Sequence, residues 1–161
     1  MPSKQDIQKT NRRNFKAHLL HSIIPLRDDL RIICSAIEDL EQDKPHTLDY
    51  HNRDFQKVVL PLRKKETKRK LTMWSYMHNG NREKYLEYKQ KTMEAMSDFL
   101  TLIMESDATD HFVECETGED SVLITPLGRE EVCLKKADSM KQMVKNCEKA
   151  EQYWELLGLW K

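Results

Sequence analysis

The chain is poor in the residues that make turns. It has four glycines and five prolines in 161 residues. All-β sandwiches and Gly-rich nucleotide folds need many turns, so both are excluded as expectations. No stretch approaches the roughly 20 apolar residues of a membrane span. The opening MPSKQDIQKTNRRNFK lacks the apolar core of a secretory signal. Four cysteines are present, and none forms a C-x-x-C pair, so zinc-ribbon and thioredoxin signatures are missing. Buried free thiols in a reducing compartment account for Cys34, Cys133 and Cys147. There is no phosphate-cradling G-x-x-x-x-G-K-[ST] or G-x-G-x-x-G. These absences lead us to expect a cytoplasmic protein with no membrane span.

What is present is charge. Lys and Arg total 27 and Asp and Glu total 27, so the net charge is zero. The balance hides polarity. Residues 1–90 carry 19 basic and 12 acidic side chains, whereas residues 91–161 carry 8 and 15. A basic run holds Lys57, Arg63, Lys64, Lys65, Lys68, Arg69 and Lys70. It is a candidate site for nucleic acid or an anionic partner, because clustered cations neutralise phosphates. Trp74 and Tyr76 lie close enough in sequence to stack on bases. The alternative is a solvated helical face that pairs with the acidic half.

Apolar periodicity organises the rest. Leu19, Ile23, Leu26, Leu30, Ile33, Ile37 and Leu40 step by four and three, a heptad seam on a helix over 12–42. Such a seam must face another helix, in this chain or in a second copy. Pro25 either kinks that helix or starts a new one capped by Ser22. Residues 43–54 read as a polar loop, and 55–62 as a short apolar stretch broken by Pro61. Leu71, Met73, Trp74 and Met77 form a helical cluster, ended by His78-Asn79-Gly80-Asn81. From 82 to 105 the pattern is helical again, without proline or glycine. Two β-prone runs, 111–115 and 121–124, flank a turn and suggest a hairpin. Thr125-Pro126 reads as the cap and first residue of a last helix with Cys133, Ala137, Met140, Val144, Cys147, Ala150, Trp154 and Leu157 on its seam. The apolar C-terminus, with Trp154 and Trp160, should be docked, on the chain itself or on a partner.

The segment Ser121 to Val132, with Thr125-Pro126-Leu127-Gly128-Arg129-Glu130 at its centre, resembles the wing strand and following helix of winged helix-turn-helix proteins. The MarR-like regulators of that family add N- and C-terminal helices that dimerise. The resemblance implies helices at 71–78, 82–89 and 92–105, then a wing. It departs from DNA-binding members in two places. The third helix offers Glu94, Ser97 and Asp98, and the wing tip offers Glu116, Glu119 and Asp120, where phosphate needs cations.

The expectation is one mainly α domain over 1–161. It has a winged-helix-like core at 65–125, an N-terminal helix at 12–42 and a C-terminal helix at 126–161. A helical bundle with a hairpin insertion is the alternative. The expected function is a non-catalytic protein-interaction or adaptor role, with Glu116, Glu119, Asp120, Trp154 and Trp160 docking the partner. A DNA-binding regulator using 57–70 is the alternative. A homodimer or a protein partner, possibly duplex DNA, is expected. No catalytic group, metal site, cofactor or small-molecule ligand is identified. His18 and His21 share a helical face but lack further ligands at metal spacing.

Overall fold

The computed structural model describes the backbone of 3–42, 53–105, 112–117, 122–127 and 129–161, and the side chains of 3–42, 56–105 and 130–161. The element order is α1 Lys4–Glu41, α2 Arg53–His78, α3 Arg82–Glu105, β1 Phe112–Thr117, β2 Val122–Leu127 and α4 Arg129–Leu156. Among residues whose side chains are described there is no strand. The fold is a bundle of four long helices.

This overturns the winged-helix expectation. The family pattern needs a break between 89 and 92, but Lys89, Gln90 and Lys91 sit inside α3. Nothing in 82–105 can break a helix, since neither glycine nor proline occurs there. The helix expected at 71–78 is the last third of α2. β1 pairs only with β2, Phe112 opposite Leu127 and Thr117 opposite Val122, and no third strand joins them among the described residues. No winged-helix sheet is formed. Thr125 and Pro126 fall within β2, so α4 starts at Arg129 rather than at the proline.

Two helix starts also differ from expectation. α1 begins at Lys4 because Ser3 and Asp6 make a capping box. The Ser3 hydroxyl accepts from the Asp6 amide, and the Asp6 carboxylate accepts from the Ser3 amide. α1 then runs through Pro25 without a new cap, and α2 runs through Pro61. Each proline forfeits one backbone hydrogen bond, which packing of the surrounding turns offsets.

The bundle runs up, down, up, down. At its lower end two helix termini meet. α2 closes with a Schellman motif, in which Asn81 N–H donates to the Tyr76 carbonyl and Gly80 N–H to that of Met77, with Gly80 at φ 75°. Asn81 then caps α3, its Oδ1 accepting from the Lys84 amide at 3.1 Å. α4 closes the same way, Leu159 N–H to the Trp154 carbonyl and Gly158 N–H to that of Glu155. The tail after α4 crosses the α2–α3 turn, where Lys161 N–H donates to the Gly80 carbonyl at 2.8 Å. Trp154 Nε1 donates to the Met77 carbonyl at 2.7 Å, and Arg12 Nε to the Leu157 carbonyl at 2.7 Å.

The core is continuous at this lower end and divided above it. Leu19, Ile23, Met73, Trp74, Met77, Tyr85, Met96, Met143, Cys147 and Trp154 make one cluster from all four helices. The upper end holds two smaller clusters. Ala36, Leu40 and Leu60 join α1 to α2, and Val59, Phe99, Ile103 and Val132 join α2 and α3 to α4. α2 packs on α1 and α3, and α3 on α4, but α1 and α4 approach each other only weakly. The N-terminal heptad seam is thus buried inside the chain, largely against α2.

Candidate functional site: a cleft between α1 and α4

The weak α1–α4 approach leaves a cleft along one side of the bundle. Its lower part is a cavity of about 500 Å³, walled by Phe15, Leu19, Trp74, Met143, Tyr153 and Trp154, with His18, Ser22, Asn146 and Lys149 at the margins. Below it α1 and α4 are bridged by the stacked rings of Phe15 and Tyr153, centroids 4.4 Å apart. Its upper part is a cavity of about 300 Å³ between the two upper core clusters. Leu26 and Lys70 line both cavities, so the cleft is continuous.

The upper cavity is charged. Arg63 and Lys70 reach it from α2, and Lys135 and Lys136 from α4. Glu66 and Asp29 are its two carboxylates, which leaves two positive charges in surplus. Lys136 and Glu66 form a mostly buried ion pair. The Lys136 ammonium also lies 4.7 Å from the centroid of Phe99, and the Arg63 guanidinium lies 5.7 Å from it. Burial holds the Lys136 ammonium below the usual lysine range. Glu66 opposes that shift, while Lys70 and Arg63 add to it by repulsion.

The seven cations of 57–70 do not form one surface. α2 turns them onto three faces. Lys57, Lys64 and Lys68, at steps of seven and four, share an exposed stripe. Lys65 and Arg69 face α3, where Lys65 lies 4.0 Å from Asp98 and Arg69 donates to the Lys91 carbonyl at 3.0 Å. Arg63 and Lys70 face the cleft. Trp74 is buried in the lower core.

Of the expected docking residues, Trp154 is buried in the core and Trp160 is half-buried, its ring 5.5 Å from that of Tyr85. Both tryptophans are spent on the chain's own packing. Glu119 and Asp120 lie outside the described residues, as do His46, His51 and His111. Glu116 is described by its backbone alone. His18 and His21 are exposed on α1. Among the described residues no three His, Cys, Asp or Glu side chains gather to hold a metal ion.

Sequence reasoning missed Glu66, Phe99, Lys135 and Lys136 as one group. A signal existed. Val132, Lys136, Met143 and Cys147 step by four, seven and four, so Lys136 occupies a core position of α4. A lysine there needs a partner, and the partner is Glu66.

No helix among the described residues is long and apolar enough to cross a membrane. Compared with family models, curated proteins and solved structures, the chain finds no match in any of the three.

Proposed function

We propose that this chain is a non-catalytic interaction protein that receives an acidic, amphipathic helix of a partner protein in the cleft between α1 and α4. The observation that carries the reading is the open side of the bundle, apolar and aromatic at its lower end and cationic at its upper end. Helix-in-groove recognition needs an apolar trough for anchors spaced at i, i+3, i+4 and i+7. Charge at one end of the trough fixes the direction in which the helix lies. The ion pair of Lys136 with Glu66 and the stacking on Phe99 hold the upper cations in place before any partner arrives, which limits the ordering cost of binding. Duplex DNA as the partner has less support, because the cations of 57–70 are divided among three faces.

The test is fluorescence anisotropy with a short labelled peptide that carries Leu and Trp anchors on one face and glutamates at one end. Binding of this peptide, with none for its glutamate-to-lysine counterpart, is the expected result. Ser22→Trp, which fills the lower cavity from its margin, should abolish it. Equal binding of both peptides, or binding unchanged by Ser22→Trp, refutes the reading. A duplex titrated alongside decides the alternative. Salt-sensitive duplex binding that weakens when Lys57, Lys64 and Lys68 become glutamine would replace the helix reading with the nucleic-acid one.

A further inference from the structure

We infer that the upper cavity is an oxyanion pocket for the dianionic phosphoryl group of a phosphate monoester. The inference rests on the cleft being a binding surface and names the chemistry of its upper end. Three observations carry it.

The first is the charge surplus. Four cations and two carboxylates line one enclosed space, and the shortfall of two negative charges matches a phosphoryl dianion better than a single carboxylate. The second is the donor set. Arg63 supplies a planar fork suited to two oxygens of one anion, and Lys70 supplies a point charge beside it. Thr67 and Ser139 place hydroxyls on opposite walls, from α2 and α4. The third is the setting. Glu66 already neutralises Lys136, and Phe99, itself buried, faces both Lys136 and Arg63. These contacts hold like charges together in a space shielded from water, where an incoming anion gains more than at an open surface. The repulsion that Lys70 and Arg63 exert on Lys136 is relieved when the anion binds.

The neighbouring cavity fixes the class of ligand further. Lys70 and Leu26 belong to both spaces, and Trp74 and Tyr153 wall the lower one. A phosphoryl group at the upper end therefore has an aromatic and aliphatic trough directly beside it. The pocket favours an ester with an apolar or aromatic body over free phosphate.

Isothermal titration with phenyl phosphate and with inorganic phosphate, each against sodium chloride of matched ionic strength, tests this on the full chain. Saturable binding of phenyl phosphate, tighter than that of inorganic phosphate, is expected. Equal affinity for the two would retain the oxyanion pocket and overturn the ester. Lys70→Gln and Arg63→Gln should each weaken phenyl phosphate about tenfold or more, the loss of one charge-assisted hydrogen bond. Lys64→Gln changes the net charge by the same amount on the exposed face of α2 and should leave the affinity unchanged. The proposal is overturned if no heat exceeds the chloride control, or if Lys64→Gln weakens binding as much as Lys70→Gln. Acidic-peptide binding that survives such a result would uphold the docking reading alone. Phosphate-ester binding without peptide binding would overturn the docking reading and leave the pocket standing.

Discussion

Gly80 and Gly158 make a matched pair of substitutions. Both occupy the left-handed position after a helix, at φ 75° and 63°. Alanine at either site meets the same backbone penalty, about 1–2 kcal/mol for an L-residue in that region. Their surroundings differ. A Cβ at Gly158 would meet only an Arg12 guanidinium nitrogen at 3.5 Å, an ordinary contact. A Cβ at Gly80 would lie 2.5 Å from the Leu159 carbonyl oxygen, which belongs to the backbone of the docked tail. The tail must then lift. It would give up the bond from Lys161 N–H to the Gly80 carbonyl, about 0.5–1.5 kcal/mol. It would also give up the contact of Trp160 with Tyr85, again about 0.5–1.5 kcal/mol. Gly158→Ala should therefore destabilise by about 1–2 kcal/mol and Gly80→Ala by about 2–5. Urea unfolding followed by circular dichroism measures both. The cycle closes with a chain shortened to end at Gly158, in which Gly80→Ala should fall to the value of Gly158→Ala. Equal destabilisation by the two alanines in the full chain would refute the reasoning. So would a Gly80→Ala effect that persists in the shortened chain.

Two further outcomes follow from the buried polar groups. Glu66→Gln leaves the Lys136 charge mostly buried without its carboxylate and should cost about 3 kcal/mol, while the double change Glu66→Leu with Lys136→Met should return to within about 1 kcal/mol of the parent. Urea midpoints of the three chains check this. Tyr85 is fully buried, its hydroxyl makes no well-formed hydrogen bond, and the Cys147 thiol interacts with it electrostatically. Burial pushes the Tyr85 phenol and the Cys147 thiol above their ordinary ranges. The unfolded chain then loses these protons first, so stability should fall as pH rises past roughly 8.5 through Cys147 and past roughly 10 through Tyr85. Tyr85→Phe should raise stability by about 1 kcal/mol at neutral pH and flatten the fall above about pH 10. A pH series of urea midpoints reads both effects. Lys136, whose shift runs in the opposite sense, contributes equally to the two chains and cancels in the difference.

Much of the helical pattern could be read from residue spacing. Leu19, Ile23 and Leu40 are buried on α1, and Tyr85, Met96, Phe99 and Ile103 on α3. The turn at Asn79-Gly80-Asn81 also stands where its residues place it. The fold did not follow, for two physical reasons. Pro25 and Pro61 were weighed as interruptions, but their helices carry enough packing on either side to absorb a missing hydrogen bond. Thr125-Pro126 carried the winged-helix resemblance, yet local capping chemistry does not decide whether a ladder forms across the pair, and Pro126 lies opposite Val113 in β2. The candidate site was harder still. Arg63 and Lys70 were visible as members of a basic run, but which face each occupies depends on the helical register. Their counterparts Phe99, Lys135 and Lys136 lie far away in the chain. On α4 the upper half of the buried seam is offset by one residue from the apolar reading, through Val132 and Met143, because the skipped position is Lys136.

The division of the upper core bears on how the molecule opens. At the lower end, side chains from all four helices share one cluster, tied by the bonds of Trp154 to Met77 and of Lys161 to Gly80. Separating any helix there breaks contacts with the other three. At the upper end, the final turns of α1 are held to α2 by Ala36, Leu40 and Leu60 with the partly buried isoleucines around them. They can part without disturbing Phe99, Ile103 or Val132. Amide hydrogens near Ile37 and Leu40 therefore exchange with solvent through local opening, and those near Met77 and Tyr85 only through global unfolding. The cleft widens where protection is lowest, so the hinge that admits a ligand lies within α1 itself and needs no separate loop.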